Sequence, residues 1–444
     1  MMNYGMEKRK FISSMLFVIL ALLLAFWAVI FGPGNSKYFS IVYLAAGFIL
    51  MLFGMPFIPL KRAWVFFLFI VINFAVLLVY LFDKSSLLNI ITLIVSYSML
   101  YYLVSTGVRY LGVYEFENTT FKYLLYILLL SLIVSPLLTI MKWPYAPAYF
   151  PWQALVSDQR FLLIVGKNVG HSNAMWLMAF GAAYILRNIY RQKKYRVNFV
   201  YILFLFLLVW GLIATKSRTA LLFIIILFLQ WAGYSRLISK RFFALVPVIA
   251  ILVFYMSVLN PFVLSKVYNV VNDLQGIFPS IRIIASAEVV TSVYSGREIL
   301  SNSFISSFIE HPWFGAGHSA SIFVYGVNRE GNIAYAGDRF AVSESMLRLL
   351  AKYGSMYFAA LLMFILTPLV RAFNGFYRDN IFVISVCSII LVSGINGNVF
   401  ENLYDISSLF TIIILIYMVM PKYDPGKFQL SPYQIDKVNQ HNNI

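Results

Sequence analysis

Charge is scarce in this chain. Only 11 % of its 444 residues are Asp, Glu, Lys or Arg, against about 25 % in a soluble domain. Hydrophobic residues make up 61 %, and the mean hydropathy is +0.82. These values exclude an ordinary soluble enzyme and point to a polytopic membrane protein. Cysteine is limited to Cys387, inside an apolar run, which excludes an internal disulfide and a thiolate metal site. Histidine is limited to His171, His311, His318 and His441. No HExxH or comparable ligand spacing occurs, so no metal is expected. No P-loop, GxSxG or GxGxxG in a βαβ setting is present, and no cofactor is expected. Porin-like alternation is absent, which argues against a β-barrel. No small-residue cleavage site interrupts the first apolar block, so a removable signal is not expected. The span centres lack acidic and basic residues, with Asn73 and Gln230 as the main buried polar groups. Ion-coupled transporters usually carry ionisable residues at the midplane, so this lack weighs against transport.

What is present is a series of apolar blocks, each long enough to cross a ~30 Å hydrocarbon core as a helix. About twelve spans are expected, at 11–31, 38–60, 63–82, 86–106, 121–141, 168–187, 197–214, 219–234, 242–260, 353–371, 381–395 and 405–420. The fold class is therefore an all-α integral membrane protein with a large, partly helical outer loop. Residues 1–260 hold the amino-terminal spans, 261–352 the loop, 353–420 the last spans and 421–444 a polar tail. The net charge of +17 reports orientation rather than nucleic-acid binding. Lys8-Arg9-Lys10 precedes the first span, which places the amino terminus in the cytoplasm. Alternation then puts Lys61-Arg62, Arg187 to Arg196, Arg236 to Arg241, Arg371 to Arg378 and the tail inside.

Two outer loops carry composition of their own. Trp143-Pro144-Tyr145-Ala146-Pro147-Ala148-Tyr149-Phe150-Pro151-Trp152 is held extended by proline. It reads as an interfacial aromatic belt or as flat faces for sugar rings. In the large loop, Ser295-Gly296-Arg297-Glu298 has capping-box spacing. It opens an amphipathic helix with Leu300, Phe304, Ile305, Phe308 and Ile309 on one face, ending at His311-Pro312. Trp313-Phe314-Gly315-Ala316-Gly317-His318 is a glycine turn. Asn328 to Asp338 is turn-rich, and Ser343-Glu344-Ser345 opens a returning helix with Glu344 in its first turn.

Arg218 sits in the shortest outer turn, at headgroup depth. An arginine near the hydrocarbon either snorkels to water or has a partner, and its planar fork suits phosphate. Arg160, Arg282, Arg297, Arg329, Arg339 and Arg348 add positive charge on the same side. Salt bridges to nearby acids explain them as well as an anionic ligand does. Among the histidines, His318 in its glycine turn is the best functional candidate. Glu344 becomes a general base if burial raises its pKa.

Joined to the large loop, Lys216-Ser217-Arg218-Thr219-Ala220-Leu221-Leu222 resembles the O-antigen ligase and Wzy-type polysaccharide polymerase superfamily. The shared features are a Ser-Arg turn between spans, here Ser217-Arg218; a Ser-Gly-Arg loop start, here Ser295-Gly296-Arg297; and a Pro-x-x-Gly-x-Gly turn, here Pro312 to Gly317. The likeness covers about residues 160–370. Ligases also share a His-Asn pair ahead of a Gly-x-x-Tyr motif. Counting back from Gly354-Ser355-Met356-Tyr357 puts Ser343-Glu344 there, which favours the polymerase branch.

The resemblance implies a GT-C-like glycosyltransferase at the periplasmic face of a bacterial inner membrane, with both termini cytoplasmic. Its substrate would be an oligosaccharide on undecaprenyl pyrophosphate, with membrane lipids, a chain-length regulator and a flippase as further partners. Arg218, Glu344 and His318 are the expected catalytic residues. Arg160, His171, Arg282, Arg297, Tyr325 and Arg339 are the expected substrate contacts. The alternatives are a ligase acting on a lipid or protein acceptor, and a glycan or solute transporter.

Overall fold

The computed structural model describes residues 57–79, 84–140, 171–191, 199–215, 218–239, 307–317, 323–327, 333–338, 346–396 and 406–420, with isolated helical positions at Ala45, Ile49 and Leu52. A 3₁₀ turn, Leu60–Ala63, leads into α1 (Trp64–Val79). Then come α2 (Lys84–Leu111), α3 (Val113–Ile140), α4 (His171–Arg191), α5 (Phe199–Ala214) and α6 (Arg218–Tyr234). Strands β1 (Phe323–Val327) and β2 (Ile333–Asp338) precede α7 (Met346–Phe373), α8 (Asn380–Asn396) and α9 (Ile406–Val419). The molecule is mostly helical, and these helices overlie the apolar runs expected between 63 and 234 and from 353 to 420. The expected spans 11–31 and 242–260, nearly all of 38–60, the aromatic loop 143–152 and the first part of the helix from Ser295 lie outside the described residues.

The exposed residues of α1 are apolar and recur with helical period: Trp64, Phe67, Val71, Phe74 and Leu78. Phe199, Ile202, Phe206 and Trp210 repeat the pattern on α5, and Ile225 and Phe228 on α6. Apolar stripes of this extent do not face water on a monomeric soluble protein; a bilayer covers them without cost. Among the described residues, Arg348–Phe373 is long and apolar enough to cross a membrane by length and composition. Shorter apolar helices lie at Trp64–Val76, Phe199–Ala214, Thr219–Tyr234, Asn380–Ser393 and Leu409–Val419.

Helix α8 is the buried centre, with residues 382–393 all inaccessible. It packs against α4, α6 and α7. Its hydroxyls cost little there, because Ser385, Ser388 and Ser393 donate to the carbonyls of Ile381, Ile384 and Ile389 one turn back. Helix α7 is held by α1 through rings: Phe69 stacks on Phe364 at 5.5 Å and contacts Tyr357 at 5.6 Å.

β1 and β2 pair antiparallel, Phe323 with Asp338 and Tyr325 with Ala336, with an irregularity at Gly326/Val327. This hairpin is an addition to the helical plan. Its second strand occupies much of the segment that composition marks as turn-rich.

Candidate functional site

The glycine turn is docked into a break in α7. Gly354 has φ +75° and ψ −178°, which no helix contains. A continuous helix would bond Ser355 N–H to the Ala351 carbonyl and Met356 N–H to that of Lys352. Instead, Ser355 donates to Pro312 O at 2.8 Å and Met356 to Trp313 O at 3.3 Å. The turn answers with Ala316 N–H to Ala351 O at 2.9 Å and Gly317 N–H to Lys352 O at 3.0 Å. Two helical bonds are thus exchanged for four tertiary ones.

The close approach explains both glycines. A Cβ on Gly315 (φ +76°) would lie 2.2 Å from the Lys352 carbonyl, and one on Gly354 would lie 2.3 Å from Trp313 O. Arg348 and Lys352, one turn apart just before the break, are only 8 % and 6 % exposed. Trp313, in the docked turn, stays 65 % exposed.

Helix α5 ends where Thr215 turns its hydroxyl onto Leu212 O at 2.6 Å, and α6 begins at Arg218. Residues 216 and 217, between the two helices, lie outside the described residues. Helices α4 and α6 finish together at the opposite end, where Tyr190 stacks on Tyr234 at 5.2 Å. Their first residues, His171 and Arg218, therefore start at the other end of the bundle. That is the end where α7 also begins, because its last turn reaches the α8 start near Tyr234 and Asp379.

The structure so brings His171, Arg218 and the glycine turn to one end of the bundle by backbone. The side chains of His171, Arg218 and Tyr325 lie outside the described residues, as do Arg160, Arg282, Arg297, His318, Arg339 and Glu344 entirely. His318 directly follows Gly317, whose N–H is tied to α7. Sequence reasoning missed the helix break and the burial of Arg348 and Lys352. The available signal was a glycine inside an apolar helical run.

The opposite end of the bundle holds a buried ion cluster that sequence reasoning did not identify. Arg187, fully buried, donates to Glu117, lies 3.7 Å from Asp379 through Nε, and sits over Phe382 at 4.5 Å. Arg191 pairs with Asp379 at 3.3 Å and donates to Tyr114 Oη at 2.9 Å. Tyr234 donates to Asp379 at 2.9 Å. Asp379 also caps α8, accepting from Phe382 N–H at 3.1 Å. Glu117 precedes the apolar stretch of α3 that starts at Phe121; burial pushes its carboxyl up and Arg187 opposes that. Burial likewise pushes up the Tyr377 phenol, which donates to Met418 O at 2.6 Å. Arg371 bonds Val419 O at 2.7 Å, so both side chains close the carboxyl end of α9.

Among the described residues no group of His, Cys, Asp and Glu is arranged to hold a metal ion.

Residues 203–362 match the family model described as O-Antigen ligase. The match covers less than half of the chain. It runs from α5 through Arg218 and the glycine turn to beyond the break at Gly354. It supports a place in the O-antigen ligase and polymerase superfamily, whose members are membrane proteins of glycan assembly. No curated protein matches the chain.

Proposed function

We propose that this protein is an O-antigen or capsular polysaccharide polymerase. It would move a growing glycan from undecaprenyl pyrophosphate onto the lipid-linked repeat unit that extends it. The observation that carries this reading is that the family match takes in both the Arg218 helix start and the docked glycine turn. In the reaction, the anomeric carbon–oxygen bond to pyrophosphate breaks and a glycosidic bond forms to an acceptor hydroxyl. The hydroxyl proton passes to a protein base, and undecaprenyl pyrophosphate leaves.

Charge grows on the pyrophosphate as that bond breaks, so fixed cations stabilise the transition state more than the ground state. Arg218 is suited to this role: an anion at the start of α6 gains from its guanidinium and from the helix N–H groups together. Arg282 and Arg297 would assist, while Arg160, His171, Tyr325 and Arg339 would contact the glycan. Glu344 and His318 compete for the base. His318 is the residue after the docked turn, and Glu344 lies four residues before the buried Arg348. We take the site to be periplasmic and the membrane to be the bacterial inner membrane, on the strength of the basic residues at the other end.

The second reading is a ligase, favoured by the description of the matching family; Ser343-Glu344 in place of the ligases' His-Asn pair weighs against it. Purified protein given one lipid-linked repeat unit in detergent, without nucleotide or metal, separates the two. A product ladder on a gel establishes polymerisation. Consumption only when a different acceptor lipid is added establishes a ligase. Passage of intact units across proteoliposomes, with no product, overturns both.

A further inference from the structure

The ion cluster borders a cavity of about 560 Å³ at the end of α7 away from the glycine turn. Its lining residues are of two kinds. Leu111, Val113, Phe376, Val383 and Met420 are apolar, and Tyr114, Glu115, Glu117, Arg191, Arg378 and Asp379 are polar or charged. A volume of that order is ample for a small polar ligand.

The charges on the wall are not equally committed. Glu117 is taken by Arg187, and Asp379 by Arg187, Arg191 and Tyr234. Arg378 and Glu115 remain: among the described residues neither has an ion-pair partner, and both are exposed. Arg378 lies over the Tyr114 ring at 4.6 Å, and Arg191 over the same ring at 5.1 Å. A guanidinium drawn to a ring face by this attraction still has N–H donors to offer an anion. The two uncommitted charges are opposite in sign. A simple anion would meet the Glu115 carboxylate, and a simple cation would meet Arg378. A ligand carrying both charges satisfies both.

Depth narrows the ligand. Tyr114, Glu115 and Glu117 come a few residues before the apolar stretch of α3 starts at Phe121. At 1.5 Å per residue along a helix that starts into the hydrocarbon at Phe121, this puts them about 6–10 Å outside its edge, at the outer boundary of the headgroup layer. Val383 and Met420 face the same cavity from the apolar ends of α8 and α9.

We propose that this cavity binds the headgroup of an aminophospholipid, with Arg378 on the phosphate, Glu115 on the primary ammonium and the apolar lining residues against the glycerol. The site is at the far end of α7 from the glycine turn and does not depend on the glycosyl-transfer reading.

The test is native mass spectrometry of the full-length protein in detergent with equimolar phosphatidylethanolamine, phosphatidylcholine and phosphatidylglycerol. Wild type retains phosphatidylethanolamine over the other two. Arg378→Ala lowers its retention by about tenfold or more. Glu115→Gln keeps binding but loses the preference over phosphatidylcholine, whose ammonium has no N–H to donate. Both positions are exposed and Glu115→Gln is isosteric, so if Arg378→Ala lowers thermal stability the Gln variant decides. Equal retention of the three lipids, a preference for phosphatidylglycerol, or indifference to both substitutions overturns the proposal. So does soluble phosphoethanolamine that displaces the lipid at similar concentration, since it would assign the cavity to a soluble ligand.

Discussion

Arg187 shows how a single charged residue is tolerated inside an apolar bundle. Two carboxylates, from α3 and from the α8 cap, neutralise it, and the Phe382 ring covers one face. Removing the cation leaves Glu117 buried without its main partner. Arg187→Met should therefore cost about 3–5 kcal/mol, read as a large drop in thermal midpoint; an unchanged midpoint would mean the cluster carries no stability. Arg218 makes a different kind of demand. Its proposed role is felt in the transition state, so Arg218→Ala should lower polymerisation by about 100- to 1000-fold while the unfolding midpoint stays near wild type. Retained product ladders in that variant would remove Arg218 from the mechanism.

At the scale of elements, the decisive feature is the exchange of backbone bonds between the glycine turn and α7. It ties the Pro312 to Gly317 turn to α7 through four backbone hydrogen bonds, with Phe314 packed against the core and Trp313 left exposed. A side chain at Gly354 must both adopt a positive φ and push against the Trp313 carbonyl. Gly354→Ala should destabilise by at least about 1–3 kcal/mol from the backbone alone. It should also raise proteolysis between His311 and Gly317, where the turn would detach. A variant as protease-resistant as wild type would show that the docking is dispensable.

At the scale of the whole molecule, α7 links two ends with different chemistry. One holds the glycine turn and the starts of α4 and α6; the other holds the ion cluster and the cavity of about 560 Å³. If α7 crosses the membrane in the orientation that the basic residues predict, its ends face opposite compartments. In a Cys387→Ser background, Trp313→Cys should react with a membrane-impermeant maleimide in intact cells. Asn374→Cys should react only after permeabilisation. Labelling of both in intact cells would contradict this topology.

Much of the helical plan was legible because it rests on local physics. Apolar runs of span length are helical wherever backbone groups need partners away from water, so 218–234, 380–396 and 406–419 fall where composition puts them. The glycine turn and the helix start at Arg218 were legible for a similar reason, since Gly-x-Gly and a break between apolar runs are local signals. What the tertiary structure alone decided is which distant segments meet. Glu117, Arg187 and Asp379 give no sign in sequence that they converge, because their pairing depends on how three helices pack. Gly354 reads as an ordinary helical glycine until the carbonyls of Pro312 and Trp313 arrive to take the N–H groups that its break frees.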